Sequence, residues 1–401
     1  MLIVQKYGGT SVGSLERIEN VARRVAKARE EGKDLVVVVS AMSGETNKLL
    51  EYAHYFSKNP SRREMDILLS SGERVTAALL AIALQEMGYD AIALTGRQAG
   101  IVTDDTHTYA RIEEIRTDAI RRRIEEGKIV IVAGFQGINE QGEVTTLGRG
   151  GSDLSAVALA GALGADACEI YSDVDGVYTT DPRIEPKARK LEHVSYDEML
   201  ELSSLGAKVL QNRSVELAKK MGVKIVARSS FSDDPGTIIS EEDESMEAVV
   251  VSGIALDKNQ ARVSLRDVVD RPGIAAEIFN KLAEAQINVD MIIQNASRDG
   301  TTNLGFTVPQ SELDRAKEAI AGFSGELGGA DYDEEVCKVS IVGVGMKSHS
   351  GIAAKAFSAL AENNINIEMI STSEIKISMV IDEKYGELAV RSLHEAYELD
   401  K

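Results

Sequence analysis

The sequence carries only two cysteines in 401 residues, Cys168 and Cys337, each inside an apolar run. That excludes a disulfide framework and any paired-cysteine zinc motif, and predicts two buried thiols in a reducing compartment. Histidine is almost as scarce. The five histidines, His54, His107, His193, His349 and His394, share no ligand spacing, so no metal site is assigned. No apolar run approaches the roughly 20 residues that span a bilayer. No leader is expected either, since the chain opens at once on the strand-like Leu2-Ile3-Val4. These absences predict a cytoplasmic protein with no membrane partner. Positive charge is also in short supply, with a formal net charge of −19. Such a surface repels nucleic acid and anionic membrane. An anionic ligand therefore needs a local positive pocket.

What is present is a chain long enough for two or three domains, with an ordinary 43% of hydrophobic residues. Apolar runs at 35–39, 91–94, 129–133, 167–171 and 224–227 read as buried strands. Helical periodicity lies between them, at 15–31, 62–87, 111–126, 153–163 and 208–221. This alternation predicts the α/β class, with a mostly parallel sheet covered by helices. Residues 229–247 then turn polar and acidic, with Pro235-Gly236 and the run Glu241-Glu242-Asp243-Glu244, and read as a linker.

The remainder holds an internal repeat. Residues 273–292 (GIAAEIFNKLAEAQINVDMI) and 351–370 (GIAAKAFSALAENNINIEMI) match at twelve of twenty positions without a gap. Each copy reads β-α-β-β-α, and a ferredoxin-like sheet wants one more strand. The second copy runs out of chain after its last helix, whereas a spare strand lies upstream at 248–256. That strand is expected to complete the second copy, so that the first is inserted within it.

Four motifs could carry chemistry. Lys6-Tyr7-Gly8-Gly9-Thr10-Ser11 follows the first strand. Glycines there admit a phosphate, and the helix opening at Ser14 offers free N–H groups; a plain glycine-rich turn reads the same. It matches neither a Walker loop nor GxGxxG, so no nicotinamide cofactor is implied. Leu147-Gly148-Arg149-Gly150-Gly151-Ser152-Asp153 opens another helix. Its Arg149 offers a fork for a carboxylate or phosphate, and Asp153 reads as a helix cap or as an acid that orients a lysine. Residues 171–183 (YSDVDGVYTTDPR) place acids at a strand end, where they suit a ribose or magnesium. Glu73, in Ser70-Ser71-Gly72-Glu73-Arg74, reads first as a solvated helix charge and second as a receptor for a substrate ammonium.

KYGGTSVGS, LGRGGSD, YSDVDGVYTTDPR and the duplicated GIAA units, in that order, resemble aspartate kinase over essentially the whole chain. The resemblance implies an amino-acid-kinase fold, a mostly parallel sheet sandwiched by helices, over 1–228. After the linker at 229–247 come two ferredoxin-like βαββαβ ACT units: the first at 258–335, the second from 248–257 with 336–401. It implies phosphorylation of the β-carboxylate of L-aspartate by ATP with magnesium, at the entry to lysine, threonine, methionine and diaminopimelate synthesis. Carried over by motif, the catalytic residues are Lys6, Arg149 and Asp153. Lys6 meets the moving phosphoryl group, Gly8 and Gly9 donate backbone N–H groups, and Tyr7, Thr10 and Ser11 complete that loop. Ser40, Thr46, Glu73, Arg149 and Ser152 hold aspartate, with Glu73 on its ammonium and Arg149 on its α-carboxylate. Ser172, Asp173, Tyr178, Asp181 and Arg183 surround the nucleotide, and Lys208 reaches its phosphates. Metal ligands are not assigned.

The paired ACT units imply feedback by lysine, threonine or both. The effector residues would be Asp270, Gly273, Ile274, Ala275, Asp290, Gln294 and Asn295 in the first copy. Ser350, Gly351, Asn363 and Ile367 are the counterparts in the second. The resemblance also implies a homo-oligomer through ACT units, and an internal start at Met246 that would yield a separate small subunit. The chemistry is coherent, since a carboxylate acceptor is already ionised near neutral pH and needs no strong base. Two rivals stand beside this reading. One is another amino-acid kinase, for glutamate or acetylglutamate, against which the duplicated units argue. The other is a ligand sensor with an inactive kinase-like domain, against which Lys6, Arg149 and Asp153 argue.

Overall fold

A computed structural model of the chain describes residues 1–204, 209–242, 250–295, 300–323 and 325–401. Lys208 and Met246 lie outside the described residues. The chain divides into two compact units. One holds Met1–Val177, Lys190–Ser203 and 209–242; the other holds Tyr178–Arg189 and 250–401.

The first unit runs β1 (Leu2–Tyr7), α1 (Leu15–Glu30), β2 (Asp34–Val39), α2 (Glu45–Phe56), α3 (Arg62–Leu69), α4 (Ser71–Glu86), β3 (Ala91–Leu94), β4 (Ile101–Thr103) and β5 (Ile112–Ile115). It continues through α5 (Asp118–Glu125), β6 (Ile129–Ala133), β7 (Gln136–Ile138), β8 (Val144–Thr146), α6 (Gly151–Leu163), β9 (Ala167–Ser172) and β10 (His193–Ser195). It closes with α7 (Tyr196–Ser204), α8 (Asn212–Met221), β11 (Ile225–Ser229) and β12 (Thr237–Ser240).

Eight strands form the main sheet in the order β10-β12-β11-β9-β1-β2-β6-β3. Every neighbouring pair is parallel except β11 with β12. The central strand β2 reads DLVVVV because both of its faces are covered. Val37 and Val39 join the core under α1 and α4, and α6 packs against β1, β2 and β9. Helix α6 is apolar and buried nearly all round, as a helix in the centre of a domain must be.

The structure departs from the sequence expectation in three places here. Residues 111–126 form a strand and a helix, not one helix. The spacing of Ile112 and Ile115 suits a helical turn, but the backbone pairs with β4 at the edge of a second, four-stranded sheet, β5-β4-β7-β8. The stretch Arg62–Glu86, read as one helix, is long and apolar enough to cross a membrane by length and composition alone, and half of its apolar 18-residue window is buried in the protein. It breaks into α3 and α4 at Ser70, and Ala77, Leu80, Ala81 and Leu84 join the core. Finally, the segment read as a linker contains β12, which pairs with β10 and β11.

The second unit contains β13 (Gly253–Val269), α9 (Ile274–Glu284), β14 (Ile292–Gln294), β15 (Thr301–Val308), α10 (Leu313–Ala321) and β16 (Gly329–Val342). It ends with α11 (Ile352–Glu362), β17 (Met369–Thr372), β18 (Lys376–Asp382) and α12 (Gly386–Ala396). Its six strands are antiparallel in the order β14-β15-β13-β16-β18-β17. The two central strands are long because both repeats use them. Gly253–Asp257 pair with 338–342 beside β18, while 262–266 pair with 329–333 beside β15. The start of β13 therefore supplies an edge strand to the second repeat. A one-residue shift in each strand, around Gln260 and Val336, marks the crossover from one repeat to the other.

Ion pairs cross between the repeats at that point. Lys338 on β16, only 3% exposed, pairs with Asp290 and lies 3.9 Å from Asp257. Arg262 on β13 pairs with Glu368 at 3.1 Å and with Asp333 at 3.2 Å. Asp290 and Glu368 occupy the same position of the repeated sequence (INVDMI and INIEMI). Arg262 and Lys338 likewise match in the strands ARVSL and CKVSI. Each repeat thus sends the equivalent cation to the other repeat's equivalent acid.

Candidate active site

The site is built where β1 and β2 hand over to loops at one end of the parallel sheet. Alternation along β1 sends neighbouring side chains to opposite faces. Tyr7 enters the core and stacks on Tyr171, with ring centroids 4.7 Å apart; its side chain is fully buried, so only its backbone is available to a ligand. Lys6 faces the other way, toward α6, and its ammonium lies 2.6 Å from Asp153 Oδ1. Both partners are largely buried. Asp153 sits in the first turn of α6, where the cap is Gly150. Of its two sequence readings, the structure therefore supports the acid that orients a lysine.

Gly8 and Gly9 follow Lys6. A side chain at Gly8 would press on the Lys6 ammonium at 3.2 Å, and one at Gly9 on the Ala41 carbonyl at 3.1 Å. Beyond them Ser14 caps α1 by accepting from the Arg17 N–H. Ser11 is buried and its hydroxyl donates to Ser230 Oγ, whereas Thr10 is half-buried in the loop. The second glycine loop needs two left-handed residues, Gly148 at φ +79° and Gly150 at φ +75°. Between them Arg149 is exposed. Ser152 is buried, and its Cβ would touch any side chain placed at Gly134.

Glu73 departs furthest from its first sequence reading. It is 4% exposed, in the first turn of α4. Its Oε1 accepts the Ala41 N–H at 3.2 Å. Its Oε2 is buried with no hydrogen-bond partner among the described residues. Burial, opposed in part by that N–H and by Arg74, pushes the carboxyl up to about 7. A buried acceptor without a donor is costly and calls for a ligand that supplies one. Ser40 follows β2 and Thr46 lies in the first turn of α2, both half-buried.

The amino acid kinase family model matches residues 1–229, and the ACT domain model matches 264–322 and 339–397. The aspartokinase of Helicobacter pylori strain J99 is 62% identical over the full length of both chains. The chain belongs to the aspartokinase family. Its activity is that of an aspartate kinase, a phosphotransferase with a carboxyl group as acceptor. Among solved structures, E. coli aspartokinase III in complex with aspartate and ADP has a TM-score of 0.81 at 25% identity, covering 99% of each chain. The same enzyme in complex with lysine and aspartate has a TM-score of 0.77 at 25% identity, covering 98% of this chain and 99% of that one.

In this aspartokinase the residues expected around the nucleotide divide between the two units. Ser172 and Asp173 lie at the end of β9 in the first, while Tyr178, Asp181 and Arg183 fall in the second. Asp181 and Arg183 bind each other through paired contacts, the shortest 2.6 Å, and Arg183 holds the Asp181 carboxyl below the usual carboxylate range. No group of three or more acidic, histidine or cysteine side chains that could hold a metal occurs among the described residues. Both cysteines are buried, and burial pushes both thiols up, Cys337 to about 12.

In the repeats, Gly273 and Gly351 are equivalent left-handed caps of α9 and α11. Asp270 precedes the first cap and donates its N–H to Gly300. Ile274 is core, Ala275 is half-buried, and Gln294 ends β14 with Asn295 next to it. The Asp290 carboxylate is taken by Lys338. Asn363 caps α11 by donating to the Ala359 carbonyl at 3.0 Å, and Ile367 packs on the core. Ser350 and Gly351 line a cleft of about 510 Å³ with Arg189, His349 and Lys355.

Sequence reasoning missed the braces of the second glycine loop. Arg213 donates to the Leu147 carbonyl at 2.7 Å and stacks over the Tyr109 ring at 4.5 Å. Gln211 fills the space that a side chain at Gly150 would need. Both lie far along the chain, in the stretch 208–221 whose periodicity reads only as a helix.

Proposed function

We propose that this aspartokinase transfers the γ-phosphoryl group of ATP to the β-carboxylate of L-aspartate, with Lys6 as its central cation. The observation that carries the reading is the buried Lys6–Asp153 pair between two glycine loops. Asp153 fixes the ammonium, which neutralises charge on the moving phosphoryl group while the N–H groups of Gly8 and Gly9 receive its oxygens. Glu73 takes the substrate ammonium on its unpartnered oxygen, and Arg149 and Ser152 hold the α-carboxylate end. Ser40 and Thr46 border the aspartate. Ser172 and Asp173 serve the nucleotide, with Tyr178, Asp181 and Arg183. Magnesium accompanies ATP and shields its phosphates.

The complex of E. coli aspartokinase III with aspartate and ADP supports this assignment of substrates. An ADP-release assay tests it: aspartate should support turnover and glutamate should not. Equal turnover with glutamate would return the reading to a general amino-acid kinase.

The paired repeats are the sensors of this reading. Lysine is favoured by the lysine complex of the E. coli enzyme, with threonine as the second effector. Gly273 and Gly351 offer equivalent helix N-termini for an effector carboxylate, and the repeats pair between chains in a homo-oligomer. Titrating each amino acid alone and both together is expected to lower activity and raise the melting temperature, since an inhibitor's coupling must appear in its binding. If neither amino acid moves either quantity, the sensor reading falls.

A further inference from the structure

We infer that Asp66 is a positioning residue for the aspartate-binding loop, holding a strained turn against Gly148, the glycine just before Arg149. The inference rests on the assignment of Arg149 and Ser152 to aspartate. Asp66 lies on α3 and is completely buried, yet it has no place in the reaction. A buried carboxylate persists only when its oxygens are fully satisfied. Here the donors come from two other segments. The Thr108 N–H donates to both oxygens, at 3.0 and 3.1 Å. The Thr146 hydroxyl donates to Oδ1. His107 Nδ1 lies 2.7 Å from Oδ2. The other ring nitrogen of His107 faces Glu143 at 3.6 Å, and Glu143 in turn holds Arg63.

The residue so held is unusual. Thr108 has φ +69°, a left-handed backbone that a β-branched residue adopts only under constraint. Such strain survives where the surroundings over-determine it, and it collects at functional sites. Its effect is local and visible. The turn lays the Tyr109 ring and the Thr108 carbonyl on Gly148, where an added side chain would meet them at 2.6 and 3.3 Å. The next residue, Ala110, donates its N–H to the Thr146 carbonyl at 2.9 Å. Arg213 bridges the Leu147 and Ala110 carbonyls from the other side. Asp66 thus ties the helix that leads into Glu73 to the turn that walls the loop of Arg149. These are the residues assigned to the two ends of one substrate.

The test is steady-state kinetics on the full-length enzyme. Asp66→Asn keeps the volume but turns one acceptor into a donor facing donors. Its KM for aspartate should rise about tenfold or more, as expected for a misplaced binding loop, while KM for ATP stays within about twofold. Adding Thr108→Gly should recover part of the aspartate KM, because glycine holds a positive φ without a clamp. A merely structural Asp66 would give neither the split nor the rescue. The inference is overturned if both KM values stay put or rise together, or if the double variant is no better than the single. Should Asp66→Asn fail to fold, Thr146→Val removes one donor only; a selective rise in aspartate KM supports the inference and an unchanged one overturns it. Arg149→Ala belongs in the same series. A normal aspartate KM there overturns the site assignment and the inference with it, whereas a raised one beside a normal Asp66→Asn overturns the inference alone.

Discussion

Lys6→Ala is expected to lower kcat by about 10²–10³-fold, the scale for losing one preorganised charge at a transition state. The fold should survive, because Asp153 keeps a place in the first turn of α6, where the helix dipole favours an anion. The KM for aspartate should move far less than kcat, since the ammonium is assigned to the phosphoryl group rather than to the acceptor. Rapid-quench measurement of phosphoryl transfer, with circular dichroism as the control for folding, checks this. Turnover within a few-fold of wild type would remove Lys6 from the mechanism. Asp153→Asn should show a smaller loss of the same kind, because it leaves the charge and removes only its tether.

Glu73→Gln carries the second large effect. A buried charge that loses its partner costs about 2–4 kcal/mol, roughly 30- to 1000-fold in kcat/KM for aspartate. The pH dependence gives an independent signature. The Glu73 carboxyl is raised to about 7, chiefly by burial. Only its ionised form receives an ammonium. The kcat/KM for aspartate should therefore climb with pH and level off above about 7, lying about tenfold below the plateau one pH unit under the midpoint. In the variant that limb disappears. Stability should run the opposite way. A carboxyl whose folded value exceeds its unfolded value stabilises the fold at low pH, and that contribution is lost as pH rises from the ordinary carboxylate range through about 7. The melting temperature of the ligand-free enzyme should fall across that window, and Glu73→Gln should flatten it. A pH-independent kcat/KM for aspartate between pH 5 and pH 8 would contradict the assignment.

What the sequence made legible follows from how far each signal reaches. Buried parallel strands announce themselves in a few adjacent residues, as the valines of β2 do. Glycine loops and the duplicated helix are equally local. The pairing of β13 with β16 was legible for another reason: a repeat short of one strand, with a spare strand upstream, has few ways to complete itself. Other features depend on contacts that a period cannot report. Glu73 follows the pattern of a solvated helix charge, and only the loop after β2, lying over α4 with Ala41 against Gly72, buries it. The strands of the small sheet have three or four residues each, too few for alternation to separate from a helical turn. Asp66 is one acid in a charged stretch of α3 until the turn around Thr108 folds onto it.

The long strands β13 and β16 leave neither repeat with a sheet of its own. If one repeat melts, the other loses an edge strand and half of a crossed pair of ion bridges. The unit that holds the repeats is then a single cooperative object, not two beads on a thread. A ligand that binds either repeat stabilises both through the same mass-action term. Communication between the two effector positions proposed at Gly273 and Gly351 would then need no messenger residue, because both would share one unfolding equilibrium.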